Sequence, residues 1–132
     1  MELITKRYLT IAEVQKILPE VEKIFRKLVA INEALAEFGQ IRVGFEEIHQ
    51  SIAYDIERGK NFHKLNYELY NGIGQLMQMG AIVKDLNSGL VDFYSKAGSR
   101  EIFLCWKFGE PQLEYWHELE TGFNGRKPIS QL

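Results

Sequence analysis

Cysteine is nearly missing from this chain, and basic residues are not concentrated anywhere in it. Cys105 is the only cysteine among 132 residues, which excludes an internal disulfide framework and favours a reducing compartment, the cytoplasm. The 16 Lys and Arg residues are interspersed with 18 acidic residues, and the formal net charge is -2. Because no basic block can neutralise a run of phosphates, we expect no nucleic-acid partner.

Long apolar runs are lacking as well. Apolar runs such as Leu28 to Ile31 have only about four residues, whereas a membrane-spanning helix needs about 20 apolar residues. The first residues include Glu2, Lys6 and Arg7 and lack the apolar core of about 7 to 15 residues that a secretory signal contains. We therefore expect neither a membrane span nor export.

The familiar catalytic signatures are also absent. The sequence has no phosphate-binding glycine loop, no paired CxxC motif, no nucleophile elbow and no HExxH zinc motif. No catalytic residue is therefore assigned from a motif, and the sequence leaves open whether the protein is an enzyme.

The composition is typical of one globular domain, with 45% hydrophobic and 26% charged residues. We predict a single domain over residues 1–132, with a helical part at about 10–80 and a β-rich part at about 81–132. Thr10 and Glu13 form a capping box that predicts a helix start. Pro19 predicts either a kink in that helix or a break between a short helix and a longer one, and we favour the break. Gly39 predicts the end of the apolar stripe that follows it.

Two further apolar stripes predict the rest of the helical part. The first extends from Ile41 to Ile56 and is expected to end at Gly59, and the second extends from Phe62 to Leu76 and is expected to end at Gly80. Gly72 and Gly74 interrupt the last stripe and could allow close contact between helices.

Short segments rich in aromatic and β-branched residues follow Gly80. They are Ala81–Lys84, Leu90–Tyr94, Glu101–Lys107 and Leu113–Leu119. The last segment would equally suit a short helix, because Pro111 precedes it and Gly122 follows it. The predicted fold is α+β: a long antiparallel helical hairpin or bundle followed by an antiparallel β-meander of three to four strands.

Residues capable of metal chemistry are concentrated near the C-terminus. His117 could bind a divalent transition metal together with some of four carboxylates, those of Asp92, Glu110, Glu118 and Glu120. The alternative is a hydrogen-bonded structural histidine. Two Glu-x-x-His spacings, Glu46 to His49 and Glu114 to His117, would suit a dimetal helical bundle, but on a strand residues three apart face opposite sides.

Trp106, Trp116, Phe123 and Arg126 form a candidate binding surface, because Trp and Arg are frequent in interface hot spots. The group could equally be the place where the sheet packs on the helices, and Arg126 could pair with Glu118 or Glu120. Cys105 lies in a strand-like run, where cysteine usually behaves as a small buried hydrophobe.

The sequence also resembles a known family at both ends of the domain. The matching pieces are YLT at 8–10, AE at 12–13, LPE at 18–20, GLVDF at 89–93, LCW at 104–106, GE at 109–110, WHE at 116–118, GF at 122–123 and GR at 125–126. On these motifs the chain resembles a prokaryotic family, domain of unknown function 2203. The resemblance implies a bacterial or archaeal origin and carries no established activity.

We expect a non-enzymatic binding or assembly module that forms homo-oligomers, with a dimer favoured. The helical stripes exceed what a small sheet can cover, and symmetric dimerisation is the commonest way to bury the remainder. The alternative is a metal-dependent, hydrolase-like enzyme that uses His117 and neighbouring carboxylates.

Overall fold

The computed structural model describes the backbone of residues 6–38 and 48–132 and the side chains of residues 6–38 and 56–132. Two helices precede a sheet: α1 is Ile11–Phe38 and α2 is Ile48–Gln78. Leu28 contacts Gly72, and Phe38 contacts Phe62, so the helices are antiparallel. The strands are β1 (Ile82–Asp85), β2 (Leu90–Ala97), β3 (Arg100–Lys107), β4 (Tyr115–Glu118) and β5 (Lys127–Pro128).

The five strands form one antiparallel sheet in the order β1-β2-β3-β4-β5. The predicted α+β class, with a helical hairpin before a β-meander, is confirmed. The sheet has five strands, more than the predicted three to four. The sequence did not indicate β5, because this strand has only two residues, both exposed, and carries no alternating pattern. The uncertain segment at Leu113–Leu119 contains a strand, Tyr115–Glu118, rather than a helix.

The predicted capping box opens α1. The Thr10 amide donates to Glu13 Oε1 at 3.0 Å, and the Glu13 amide donates to Thr10 Oγ1 at 3.1 Å. The hydrogen bond from the Thr10 backbone holds the pKa of Glu13 below its ordinary value. One face of the helix is buried, and its residues are Val14, Leu18, Val21, Phe25 and Leu28.

The predicted break at Pro19 is wrong, because α1 continues through it. Pro19 lies on the exposed side of the helix, where water can hydrate the carbonyl that loses its amide partner. Leu18 and Val21 on either side of it are both buried in the core. Burial of this apolar face on both sides of Pro19 outweighs the missing hydrogen bond.

The predicted helix end at Gly59 is also wrong, since α2 extends through this residue. An interior glycine costs a helix about 1 kcal/mol, which is little for an element of 31 residues that packs along α1. Gly80 does follow the helix end, and its φ of 93° is a conformation that glycine adopts readily. Gly39 and the start of the second stripe lie outside the described residues.

The two faces of the sheet have different partners. Alternate residues of β2, β3 and β4 join the buried face of α1 in one hydrophobic core, and these residues are Val91, Phe93, Ile102, Leu104, Trp106 and Trp116. The rings of Phe25 and Trp106 meet edge to face with centroids 6.0 Å apart. The residues between them in sequence point to the opposite face, which holds the candidate functional site.

Within the described part of the chain, neither helix contains a stretch apolar enough to cross a membrane.

The two glycines of α2 provide a test of the helix contact. A Cβ placed on Gly72 would lie 2.5 Å from Cδ2 of the buried Leu28, whereas a Cβ on Gly74 meets nothing within 4 Å. We expect Gly72→Ala to lower the free energy of unfolding by about 1 to 2 kcal/mol through overpacking. Gly74→Ala should raise it by about 0.5 to 1 kcal/mol through helix propensity.

Urea denaturation followed by circular dichroism measures both changes. The variants differ by two positions in one helix and carry the same substitution, so each is the control for the other. Equal stabilisation by both would contradict the close contact at Gly72.

Candidate functional site

The strand register brings three chemically reactive side chains to one face of the sheet. Asp92 of β2 stands opposite Cys105 of β3, and His117 of β4 stands opposite Phe103 of β3. Because Phe103 and Cys105 are two residues apart on one strand, their side chains share a face. Asp92, Cys105 and His117 are therefore neighbours on the face that is turned away from α1.

All three side chains are buried, with 4% of Asp92, 1% of Cys105 and 2% of His117 exposed. One atom of each that can bind a metal, namely a carboxylate oxygen, the thiol sulfur and a ring nitrogen, lies within 4.8 Å of the other two. His117 Nε2 lies 3.0 Å from Asp92 Oδ2. We call these three residues the Asp-Cys-His cluster.

The hydrogen bonds of His117 determine its tautomer. Nδ1 lies 2.6 Å from the carbonyl oxygen of Glu118, and a carbonyl oxygen can only accept. Nδ1 therefore carries a proton, and Nε2 is the nitrogen that faces Asp92. Nε2 and the carboxylate oxygen each have a lone pair directed at the other atom. A proton or a metal cation therefore has to lie between the two atoms.

The second carboxylate oxygen of Asp92 is buried and has no hydrogen-bond partner. Buried polar atoms without partners are rare and costly, and each one calls for an explanation. A cavity of about 120 Å³ adjoins the cluster and is lined by its three side chains together with Phe103, Leu119 and Phe123 among others. The unpartnered oxygen thus belongs to a residue that borders a space large enough for a ligand.

Cys105 is held as a neutral thiol. Burial raises its pKa to about 12, and the negative charge of Asp92 acts in the same direction. A thiol of this kind is a poor nucleophile because the thiolate is the reactive form. The arrangement does not suit a Cys-His catalytic pair in which the thiolate forms readily.

The C-terminal segment covers this face of the sheet. Arg126 donates from Nη2 to Glu110 Oε1 at 2.6 Å and to the carbonyl of Cys105 at 3.3 Å. Its guanidinium lies over the ring of Tyr115 at 4.0 Å and that of Phe123 at 4.9 Å. Glu110 Oε1 also accepts the Lys107 amide at 2.6 Å. This ion pair holds the chain around Phe123 next to the cavity.

A protein-family profile described as "Uncharacterized conserved protein (DUF2203)" matches residues 7–129. The chain belongs to this family. The match includes all three residues of the Asp-Cys-His cluster and confirms the resemblance seen in the sequence motifs. No curated protein and no solved structure shows a significant match to the chain.

Only Asp92 and His117 of the predicted metal ligands come together. Glu110 is paired with Arg126 at 2.6 Å. Glu118 lies 3.2 Å from Arg100 and 3.8 Å from Lys127.

Glu120 is exposed, and among the described residues it takes no part in the cluster. The partner of Arg126 is Glu110 instead of the predicted Glu118 or Glu120. A pair with Glu110 is possible because the turn after β3 brings its carboxylate back toward the end of that strand.

The predicted binding-surface residues are divided between the core and the surface. Trp106 and Trp116 are buried in the core, while Phe123 is 41% exposed. The indole of Trp106 donates to the Glu110 carbonyl at 2.9 Å. Arg126 is partly buried in the ion pair with Glu110.

The remaining histidine motif does not suit a metal site on the described residues. Glu114 lies just before β4 and His117 within it, so the three-residue spacing does not give the shared helical face that a dimetal bundle uses. Glu46 and the side chain of His49 lie outside the described residues. His63 is exposed on α2.

Cys105 is the cluster residue that the sequence analysis did not select as a ligand. In the sequence it is 13 positions from Asp92 and 12 from His117, without a metal-binding spacing. The signal that could have found it is the turn at residues 97–100, since a tight hairpin there fixes Asp92 opposite Cys105.

Cys105 should be nearly inert toward alkylation. With a pKa of about 12, only on the order of one thiol in ten thousand is ionised at pH 8. We expect iodoacetamide to react with the folded protein at least about 100-fold more slowly than with the protein in denaturant. The rate should still be rising at pH 10. Mass spectrometry with EDTA present gives the rates, and a plateau below pH 10 would contradict the raised pKa.

Proposed function

We propose that this protein binds a divalent transition metal ion through Asp92, Cys105 and His117. The observation that carries the proposal is the convergence of carboxylate, thiol and imidazole atoms within 4.8 Å in a buried site. The unpartnered oxygen of Asp92 supports it independently, because a metal ion would complete the contacts of that carboxylate.

The surroundings of His117 match those of a metal ligand. Metal-binding histidines nearly always donate their second ring N–H to a carboxylate, a backbone carbonyl or a water molecule, and this bond fixes the ring. The Glu118 carbonyl, 2.6 Å from Nδ1, accepts such a bond. Nε2 is thereby the nitrogen left to bind the ion.

Distances and charge are compatible with a divalent ion. Bonds of about 2.0 to 2.3 Å to a tetrahedral ion place ligand atoms about 3.3 to 3.6 Å apart. The cluster atoms, at 4.8 Å or less, reach that spacing by shifts of about 1 Å. The ligands would be a carboxylate, a thiolate and a neutral imidazole, so the dication would be balanced and no net charge would be buried.

The donor set indicates the class of metal. Nitrogen and sulfur ligands suit zinc and other late first-row ions, whereas magnesium and calcium prefer oxygen alone. We therefore propose zinc or a chemically similar ion such as Fe²⁺ or Co²⁺.

Hydrolysis at the metal would further require a general base near the ion. Of the other predicted carboxylates, Glu110 and Glu118 are engaged in ion pairs with arginine, and Glu120 is exposed. The proposal is accordingly limited to metal binding and leaves the reaction class open.

Metal binding can be tested with nearly isosteric ligand variants. We expect the wild-type protein to hold about one Zn²⁺ per chain after dialysis. Asp92→Asn and Cys105→Ser should weaken binding at least about 100-fold, because losing a hydrogen-bond partner of a ligand alone costs about 10- to 100-fold. Elemental analysis gives the stoichiometry, and competition with a chromophoric chelator gives the affinity.

His117→Ala should weaken zinc binding at least as much, and His63→Ala provides the matched control because it removes an exposed histidine of α2. Circular dichroism verifies that each variant is folded. Wild-type zinc affinity in folded Cys105→Ser and Asp92→Asn, or no zinc in the wild-type protein, would refute the proposal.

Homodimer formation through α2 is a second proposal. Ile56, Tyr67 and Tyr70 are 54%, 72% and 71% exposed, and separations of 11 and 3 residues place them on one side of the helix. Burial of these three side chains against a second copy would supply the assembly role expected from the sequence.

A charge placed on this face should prevent the dimer. We expect light scattering to give twice the chain mass for the wild type and a single chain mass for Tyr67→Glu. Asn61→Glu is the control, because this exposed residue lies about 120° away around the helix. A monomeric wild type at micromolar concentration would rule out the dimer.

A further inference from the structure

We propose that the metal ion keeps one coordination position open toward the adjoining cavity, and that this position takes a small, singly charged anion in exchange with water. The inference rests on the proposed metal binding and adds a ligand class to the same site. Its first support is the ligand count. The cluster offers three protein ligands, and zinc sites with three protein ligands keep the fourth position for water or substrate.

The cavity lies where that fourth ligand would enter. Its volume is about 120 Å³, and Asp92, Cys105 and His117 all contribute to its wall. The segment after β4 also contributes to the wall, with Leu119 and Phe123. This space accommodates a few water molecules or an anion of three or four atoms, and it is smaller than a substituted aromatic acid such as p-toluenesulfonate.

The charge around the cavity favours an anion. The charges of Asp92 and a Cys105 thiolate would balance the two positive charges of the metal ion. An additional positive charge comes from Lys84, the one lysine in the cavity lining, which contains no arginine among the described residues. Lys84 Nζ lies 4.5 Å above the ring of Phe103, which also lines the cavity. Its ammonium group would therefore lie beside an anion bound to the metal.

The apolar lining strengthens this preference. Leu90, Phe103, Leu119 and Phe123 surround the space, and a charge interacts more strongly with its partner where water is scarce. Phe123 is 41% exposed, so this part of the cavity wall borders solvent. Its ring lies against the guanidinium of Arg126 at 4.9 Å.

The test uses Co²⁺ as the bound metal and azide as the anion. Cobalt bound to a thiolate gives an intense sulfur-to-metal absorption band, which reports metal binding, and weaker visible bands, which report the number and type of ligands. At constant ionic strength, azide should change the visible bands saturably while the thiolate band persists. The bulkier p-toluenesulfonate should leave the spectrum unchanged.

Two lysine variants locate the anion. Lys84→Met should weaken azide binding about threefold to fivefold, the size expected for losing one exposed charge partner. Lys64→Met removes an exposed lysine from α2 and should leave azide affinity unchanged. Both variants should bind cobalt as the wild type does.

The outcomes separate the two proposals. A normal thiolate band with visible bands that do not respond to azide means a closed site, and overturns the anion proposal while metal binding stands. Loss of the thiolate band on adding azide means displacement of the metal, and also overturns it. Azide affinity equal in Lys84→Met and the wild type overturns the placement in this cavity. Absence of any cobalt spectrum overturns metal binding itself, and the anion site with it.

Discussion

The pairing of β2 with β3 over eight residue pairs is the constraint on which both the core and the candidate site depend. Side chains alternate across a sheet, so a slip of one residue would exchange the two faces of a strand. In the observed register Leu104 and Trp106 face α1 and Cys105 faces the cavity. A shifted β3 would instead turn Cys105 toward the helix and two large apolar side chains toward the cluster. The apolar core therefore fixes the position of the polar cluster.

Both faces of this sheet are buried around the cluster, which is uncommon for an antiparallel sheet that helices cover on one face. A helix-covered antiparallel sheet commonly leaves its other face in water, yet the residues of the Asp-Cys-His cluster are at most 4% exposed. The cover is a short, irregular segment held by the Arg126–Glu110 ion pair and by stacking of Arg126 on Tyr115 and Phe123. A fold that removes water from polar groups in this way needs other partners for them.

Local signals in the sequence predicted where a helix begins better than where it is interrupted or ends. The Thr10–Glu13 capping box acts within four residues, so it could be identified directly and is present in the structure. Pro19 and Gly59 were expected to end helices, but their effect depends on which side of the helix they occupy and on packing along its length. Those are tertiary properties, and an isolated sequence window does not contain them.

The same distinction applies to the candidate site. Asp92 and His117 could be selected by residue type, but the choice among carboxylates required the strand register and the ion pairs. Glu118 follows His117 directly and therefore points to the other face of β4, where it meets Arg100 and Lys127. Cys105 was judged by its apolar neighbours in sequence, whereas its neighbours across the strands are an aspartate and, diagonally, a histidine. Cross-strand contact, which the sequence does not display, makes it a metal ligand candidate.

A proton and a metal ion compete for the same place in this cluster. Without a metal, the 3.0 Å contact of His117 Nε2 with Asp92 Oδ2 requires a proton between the two atoms, and Cys105 keeps its own proton because burial and the charge of Asp92 raise its pKa. A divalent ion would replace these protons and would join the thiolate and carboxylate charges to its own, leaving the buried site neutral. The burial that makes Cys105 a weak nucleophile thus also makes a bare thiolate costly, and a dication is the partner that removes this cost without opening the site to water.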